Sequence, residues 1–249
     1  MFNFFKRSSK SVDPDLSFLG TDMHSHLLPG IDDGLQEVEQ SVNFIRDLQT
    51  LGYRKLICTP HILSDLYPNN PSTILPKLKI VREALKAANV NVQVEAAAEY
   101  MVDHEFEMLV NSSKKEDLLT IGGDFILIEM SYLSPSPNFE KVVFDLRMLG
   151  LQPILAHPER YSFYHNQFIQ YERFKDLGCK LQVNLLSLSG VYGTHVKKTA
   201  EKFFKLQMVD FLGTDMHHDK HLAMLKSLAT KPEFYELVMS ADLLNRTLV

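Results

Sequence analysis

The sequence FLGTDMH occurs twice in this chain, at residues 18–24 and again at residues 211–217. In each copy an apolar run leads into carboxylate and imidazole groups, and alternate residues of an extended chain face the same side. Two strand ends that direct such groups to one point indicate a metal centre. The residues expected to project there are Asp22, His24 and His26 from the first copy, and Asp215 and His217 from the second.

Strand-like and helix-like segments alternate about seven times along the chain. Strands are predicted near residues 18–22, 55–59, 91–97, 125–129, 153–156, 180–184 and 208–213, with helical periodicity between them. The alternation predicts a parallel sheet, either closed as a barrel or open and doubly wound. In a barrel, the polar loops at residues 64–73 and 133–138 would rim the catalytic face. No glycine-rich phosphate-binding motif follows the first strand, which disfavours a nucleotide-binding fold.

Composition limits the classes of protein that fit. The 249 residues, 45% hydrophobic and 23% charged, are typical of a soluble globular protein. A net charge of -5 argues against broad binding of nucleic acid. The two cysteines, Cys58 and Cys179, are far apart in sequence, which disfavours a disulfide framework and indicates a reducing, cytoplasmic compartment.

Residues 1–17 are expected to be an N-terminal tail, followed by a single domain at residues 18–249. The tail has neither a signal-peptide pattern nor an apolar run long enough to span a bilayer. Its phenylalanine and basic residues could touch the inner membrane face transiently. A loosely docked tail without stable membrane insertion is the simpler interpretation.

Imidazole and carboxylate groups follow six of the seven predicted strands. Because the carboxyl ends of barrel strands meet at one face, these groups are expected to converge. Asp22 and Asp32 are expected to support the ligands, with Asp32 capping the next helix as an alternative. The remaining histidines, at positions 104, 165, 195, 218 and 221, are interpreted as ordinary hydrogen-bonded residues. The candidate ligands are His24, His26, Asp33, His61, Glu99, Glu129, His157, Asp215 and His217.

This ligand set contains nitrogen and oxygen but no sulfur, which suits manganese, iron, zinc or magnesium ions. Five imidazoles and four carboxylates exceed the needs of one ion, so two or three are inferred. Three divalent ions against four carboxylates would leave a charge of about +2, matched to a phosphate dianion. Arg160 could bind a phosphoryl oxygen bidentately. The alternative for Arg160 is an ion pair with Glu159 or another acid.

The candidate ligands lie within short motifs. These are DMHSH at 22–26, DDG at 32–34, TPH at 59–61, Glu99, IE at 128–129, AHPERY at 156–161 and TDMH at 214–217. Together these motifs resemble the PHP (polymerase and histidinol phosphatase) superfamily, and most of all its bacterial capsule- and exopolysaccharide-associated protein-tyrosine phosphatases. The resemblance implies a distorted (β/α)7 TIM-like barrel, the PHP barrel, with a trinuclear metal site, and it favours manganese or iron.

The resemblance also implies which residues hold each ion. One ion would be bound by His24, His26, Glu99 and Asp215, a second by Glu99, Glu129 and His157, and a third by Asp33, His61 and His217. Arg160 would assist phosphate binding or the transition state. The implied substrate is phosphotyrosine on the tail of a cognate tyrosine kinase that controls polysaccharide export. A homo-oligomeric state remains open.

Several other functions remain open at this stage. A histidinol-phosphate or other small-ester phosphatase would use the same metals, and a C–N hydrolase would use a related barrel. A catalytically silent module that binds a kinase tail is a third alternative, although an intact ligand set disfavours it. A cysteine-based phosphatase is disfavoured because Ser64 and Leu185, rather than arginine, stand six residues after the two cysteines.

Overall fold

The computed structural model describes residues 12–248, and the predicted contact of the first ten residues with a membrane lies outside them. Strands and helices alternate through the described chain. The strands are β1 (Thr21–Ser25), β2 (Lys55–Cys58), β3 (His61–Ile62), β4 (Gln93–Ala96), β5 (Glu99–Met101), β6 (Phe125–Glu129), β7 (Gln152–Ala156), β8 (Lys180–Asn184) and β9 (Phe211–Gly213). The helices are α1 (Val38–Thr50), α2 (Pro71–Ala87), α3 (His104–Ser112), α4 (Phe139–Met148), α5 (Ile169–Asp176), α6 (Thr194–Lys205), α7 (Asp219–Leu228) and α8 (Pro232–Val238).

All strand pairs within the two sheets are parallel, which confirms the predicted α/β class. One sheet has the order β1-β2-β4, and the other has the order β3-β5-β6-β7-β8-β9. At the predicted second strand the chain forms β2 and, directly after it, β3. At the predicted third strand it forms β4 and then β5. In both places the chain passes from the first sheet to the second. Backbone hydrogen bonds continue across the change, from Ala97 N–H to Cys58 O at 2.8 Å and from Glu99 N–H to Pro60 O at 3.1 Å.

The first strand begins later than predicted. Residues 18–22 were expected to be extended, but Phe18 and Leu19 lie in a turn that ends at Gly20, where φ is 71°. Strand β1 therefore starts at Thr21 and places His24 inside the strand rather than beyond it. In the second FLGTDMH copy the apolar residues are themselves strand β9. The two identical sequences thus adopt different local structures.

The helices place their apolar faces on the sheets as their periodicity predicts. In α1 the residues Val42, Ile45 and Leu48 are buried. Helix α3, with nine residues, joins β5 to the segment before β6, and α8 ends at Val238. Gly52 follows α1 with φ of 100°, where a side chain would meet Ser17 backbone within 3 Å. Only glycine fits there without displacing its neighbours.

The described part of the N-terminal segment contacts the domain. Leu16 is fully buried, and its N–H donates a hydrogen bond to Leu51 O at 2.6 Å. Asp15 N–H donates to the Tyr235 hydroxyl. Among residues 12–248, none of the helices has the length and apolar character that crossing a membrane would require.

A small apolar cluster lies among the strands, separate from the larger core beneath the helices. Met23, Ile57, Leu127, Ile154 and Phe211 contribute to it from β1, β2, β6, β7 and β9. Strands of both sheets therefore share one interior. The polar residues described below follow the same strands at their carboxyl ends.

Candidate metal centre

The nine candidate ligands converge, although His24 lies within β1, and His61 and Glu99 begin β3 and β5. They form overlapping groups whose donor atoms lie within 4.8 Å of one another. His24, His26, Glu99 and Asp215 are buried, whereas the Asp33 side chain is 53% exposed. The sequence thus predicted which residues come together, from segments as distant as β1 and the residues after β9.

The first group joins His24, His26, Glu99 and Asp215. Each histidine Nε2 lies 3.2 to 3.5 Å from Glu99 Oε2, from Asp215 Oδ1 and from the other Nε2. Four donors placed tetrahedrally about 2.1 Å from an ion would be separated by about 3.4 Å. The five distances given for these atoms are therefore close to the spacing of a metal coordination shell.

Glu99 links this group to a second one. Its Oε1 lies 2.9 Å from His157 Nε2, and its Oε2 lies 3.1 Å from His61 Nδ1. Glu129 approaches His61 Nδ1 at 3.0 Å but His157 Nε2 only at 3.9 Å. The residues that the family resemblance implied for a second ion are thus adjacent, with His61 closer to Glu129 than His157 is.

The third group lies nearest to the solvent. Asp33 Oδ1 is 3.5 Å from His61 Nε2 and 3.5 Å from His217 Nε2. His26 belongs to this group as well, with its ring stacked on His217 at a centroid distance of 4.0 Å. His61 therefore offers one ring nitrogen to Glu99 and Glu129 and the other to Asp33.

The charges and hydrogen bonds of these residues fit bound cations. His61 Nδ1 is buried without a hydrogen-bond partner among the described residues, although two carboxylates lie beside it. Burial lowers the pKa of His61, but Glu99 and Glu129 outweigh it and raise that pKa to about 12. Buried carboxylates need compensating positive charge. Divalent ions would supply that charge and would keep His61 neutral, with one ring nitrogen available as a ligand.

Two neighbouring side chains, Asp32 and Gln182, orient candidate histidine ligands. Asp32 Oδ2 lies 2.7 Å from His26 Nδ1, and its Oδ1 accepts the N–H of Gly34. Gln182 Oε1 lies 2.8 Å from His24 Nδ1, so that each histidine presents Nε2 to the cluster. Such contacts fix the ring orientation of a metal-binding histidine.

An amide chain continues from Gln182 to Asp215. Gln182 Nε2 donates to Asn184 Oδ1 at 2.8 Å, and Asn184 Nδ2 donates to Asp215 Oδ2 at 2.7 Å. Sequence reasoning missed both amides. Their signal was two polar residues alternating within the buried strand β8, where an unpaired amide would be costly.

Arg160 lies between two aromatic rings at the edge of the cluster. Its guanidinium carbon is 4.4 Å from the ring centres of Tyr132 and of Tyr192. Its Nη1 donates to Asp215 Oδ2 at 3.2 Å. Glu159, which was the other ion-pair candidate, instead accepts hydrogen bonds from Asn184 N–H and from the Ser187 hydroxyl.

Two candidate ligands have a left-handed backbone. The φ angle is 34° at His157 and 50° at Asp215. Non-glycine residues rarely adopt this conformation, which costs on the order of 1–3 kcal/mol and is concentrated at functional sites. The turn at each residue directs its side chain back towards the strand ends.

A cavity of about 560 Å³ opens above the cluster. Asp33, His61, His157 and Asp215 line its floor, and Arg160 lies at its side. His218 and His221 also line it. From the sequence both histidines are interpreted as ordinary hydrogen-bonded residues, which does not predict that they line the cavity. His218 does make such a hydrogen bond, since it caps helix α7 by accepting the His221 N–H.

Parallel strands that carry a buried cluster of imidazoles and carboxylates define an α/β protein built around a candidate multinuclear metal centre. The family model described as "Capsular polysaccharide synthesis, CpsB/CapC" matches residues 20–229. The chain belongs to this CpsB/CapC family.

Three relatives of this chain are named as tyrosine-protein phosphatases, one of them as putative. The chain is 26% identical over 200 residues to the tyrosine-protein phosphatase YwqE of Bacillus subtilis (strain 168), covering 80% of this chain and 78% of YwqE. It is 26% identical over 202 residues to the tyrosine-protein phosphatase CpsB of Streptococcus agalactiae serotype V, covering 79% and 82%. A putative tyrosine-protein phosphatase, CapC of Staphylococcus aureus, is 22% identical over 198 residues, covering 79% and 76%.

A solved structure supports the same fold. It comes from work on YwqE of Bacillus subtilis and CpsB of Streptococcus pneumoniae, described as unique metal-dependent tyrosine phosphatases. It matches with a TM-score of 0.74 and 24% identity over 88% of this chain and 91% of that chain. The lactonase Lmo2620 of Listeria monocytogenes matches with a TM-score of 0.54 and 11% identity over 96% and 95%.

Proposed function

We propose that this chain is a metal-dependent protein-tyrosine phosphatase of capsular or exopolysaccharide synthesis. The observation that carries the proposal is the spacing of 3.2 to 3.5 Å between the Nε2 atoms of two buried histidines, His24 and His26, and the carboxylates of Glu99 and Asp215, with Arg160 beside them. The names of the relatives support the substrate class, and membership of the CpsB/CapC family supports the role in capsular polysaccharide synthesis. Histidinol phosphate and other small esters are tested below as alternatives.

We infer three divalent ions, manganese or iron before magnesium or zinc. The first would be held by His24, His26, Glu99 and Asp215, the second by Glu99, Glu129 and His157, and the third by Asp33, His61 and His217. Such ions would supply an activated water nucleophile and would stabilise the charge that develops on the phosphoryl group. Glu99 directs one carboxylate oxygen to His24 and the other to His157, so it would contribute a ligand to two ions.

Arg160 would bind the phosphoryl oxygens. Its guanidinium is planar and offers paired donors, and the rings of Tyr132 and Tyr192 restrict its orientation. A preorganised donor stabilises developing charge without reorganising during the reaction. The leaving tyrosine has a phenol pKa of about 10, so it departs with less need for a proton than an alkyl alcohol would.

A barrel-like arrangement of residues 18–249 as one domain is the fold that we propose. It is supported by the contact between β1 and the segment after β9, where His26 N–H donates to Met216 O at 2.9 Å and Asp215 N–H donates to His24 O at 2.8 Å. The apolar cluster shared by both sheets gives further support.

We also propose a cytoplasmic location, since both cysteines are free. The substrate that we propose is the tail of a tyrosine kinase.

The experiment that tests the function compares substrates after controlled metal loading. Protein stripped with a chelator would be reloaded separately with manganese, iron, magnesium or zinc and assayed on a phosphotyrosine peptide and on histidinol phosphate. We expect metal-restored hydrolysis of the peptide at a higher kcat/KM. Activity on the small ester alone would overturn the substrate, and no activity with any metal would favour a binding module.

The number of ions is tested by metal analysis of variants. Asp33→Ala removes a ligand of the third group only, so the bound metal should fall from three ions per chain towards two. Asp65→Ala changes an exposed carboxylate between β3 and α2 and is the matched control. Equal metal content in both variants would contradict the third ion.

A further inference from the structure

Two loops at the mouth of the metal cavity expose aliphatic side chains. Leu66, between β3 and α2, is 68% exposed, and Leu133, between β6 and α4, is 92% exposed. Single exposed leucines are ordinary on protein surfaces. These two line the same cavity as the candidate ligands, which makes them part of one apolar surface around its entrance.

Four further residues with apolar side-chain surface line the same cavity, beside polar residues such as Ser131. They are Leu63, Tyr67, Met101 and Tyr132. We call these four, with Leu66 and Leu133, the apolar rim. Arg160 is the only lysine or arginine among the described residues that line the cavity. The proposed function assigns Arg160 to the phosphoryl group, so the rim has no second lysine or arginine among the described residues to receive an acidic side chain.

We propose that the apolar rim binds apolar side chains that flank the phosphotyrosine of a protein substrate. This inference rests on the proposed function, which puts the phosphoryl group on the cavity floor. The tyrosine side chain then extends from the floor to the entrance, and the covalent chain brings the adjacent residues against the two loops. Leu66 and Leu133 stand there with most of their surface exposed.

The selectivity would come from two effects, the burial of apolar surface and the cost of removing water from a charged side chain. An apolar neighbour that covers Leu66 and Leu133 removes apolar surface from water on both partners, which is favourable. A glutamate in the same position would lose water without gaining a charged partner from the rim. The rim therefore discriminates by the side chains beside the phosphotyrosine as well as by the phosphotyrosine itself.

The test uses three peptides that differ only at the residues on either side of phosphotyrosine: leucine, alanine or glutamate. Phosphotyrosine itself is the fourth substrate, and all are assayed with the metal-loaded full chain. We expect kcat/KM for the leucine peptide to exceed that for the glutamate peptide by about tenfold or more, mostly through KM. Equal values for the three peptides would overturn the inference while leaving the phosphatase activity intact.

Charge variants assign the preference to the rim. Leu133→Lys and Leu66→Lys should each lower the leucine-to-glutamate ratio of kcat/KM by at least about fivefold, because a lysine pairs with the glutamate. Met148→Lys is the matched control, since Met148 is 72% exposed on α4 and does not line the cavity. An unchanged ratio in both leucine variants would contradict the assignment. Absence of activity on phosphotyrosine would reject the proposed function and the inference together.

Discussion

The Asp22 carboxylate accepts two hydrogen bonds from Thr214, one from its N–H at 2.9 Å and one from its hydroxyl at 2.6 Å. The contact joins the two FLGTDMH sequences across 192 residues, and both side chains are fully buried. His24 and Asp215, the candidate ligands next along the chain, lie directly beyond it. Asp22 thus aligns the two segments without itself belonging to the ligand groups.

Replacing Asp22 should destabilise the fold. Asp22→Ala leaves the Thr214 N–H buried and unpaired and leaves the hydroxyl only its longer hydrogen bond to His24 O at 3.3 Å, which is expected to lower the free energy of unfolding by about 2–4 kcal/mol. Urea unfolding of chelator-treated Asp22→Ala, Thr214→Val and the double variant measures the coupling. Losses that simply add in the double variant would show that the two residues act independently.

Removing a ligand should abolish turnover and reduce bound metal. His157→Ala and Asp215→Ala are expected to lower kcat by at least about a hundredfold, because each leaves an ion without a donor from the chain. Circular dichroism would check that the variants remain folded, and elemental analysis would measure the metal. His104→Ala, an exposed histidine on α3, is the control. Full activity in either ligand variant would reject the metal assignment.

Arg160 should not be replaceable by lysine. Arg160→Lys keeps the charge but loses the planar fork and the stacking on both rings, so kcat/KM should fall about a hundredfold. Inhibition by inorganic phosphate would weaken in parallel. A variant with unchanged kcat/KM and unchanged inhibition by phosphate would mean that only the charge of Arg160 matters.

The ring of Tyr192 should matter more than its hydroxyl. The hydroxyl has no hydrogen-bond partner among the described residues, while the ring lies 4.4 Å from Arg160. Tyr192→Phe should therefore retain near-native kcat/KM, and Tyr192→Ala should lose about fivefold, the equivalent of about 1 kcal/mol for a cation–π contact. Equal losses in the two variants would point to the hydroxyl instead.

Neither cysteine should react in the native protein. Burial raises the pKa of Cys58 and of Cys179 to about 12, so at pH 8 only about one thiol in ten thousand is ionised. A thiol reagent such as DTNB should label both cysteines only after unfolding in guanidinium. Rapid labelling of native protein with loss of activity would contradict this expectation.

The alternation of elements could be predicted because long apolar segments carry a strong periodic signal. Short elements could not: β3 has two residues and β5 has three, too few to show a period. The start of β1 was misplaced because Phe18 and Leu19 are as apolar as a strand. Their turn depends on Gly20 and on packing against the rest of the chain.

The candidate ligands could be predicted as a set because chemistry and strand-end position coincide. Their pairing could not, since it depends on side-chain direction. His61 uses both ring nitrogens and lies nearer to Glu129 than His157 does. Gln182 and Asn184 carry no charge and match no motif, so only the folded arrangement identifies their contacts with His24 and Asp215.

Strand β1 lies near the start of the chain and β9 near its end, yet the two segments meet at the ligand cluster. During translation, His24 and His26 therefore leave the ribosome long before Asp215 exists to complete their group. Loading of the first group would then have to wait until the segment that carries Asp215 has also left the ribosome.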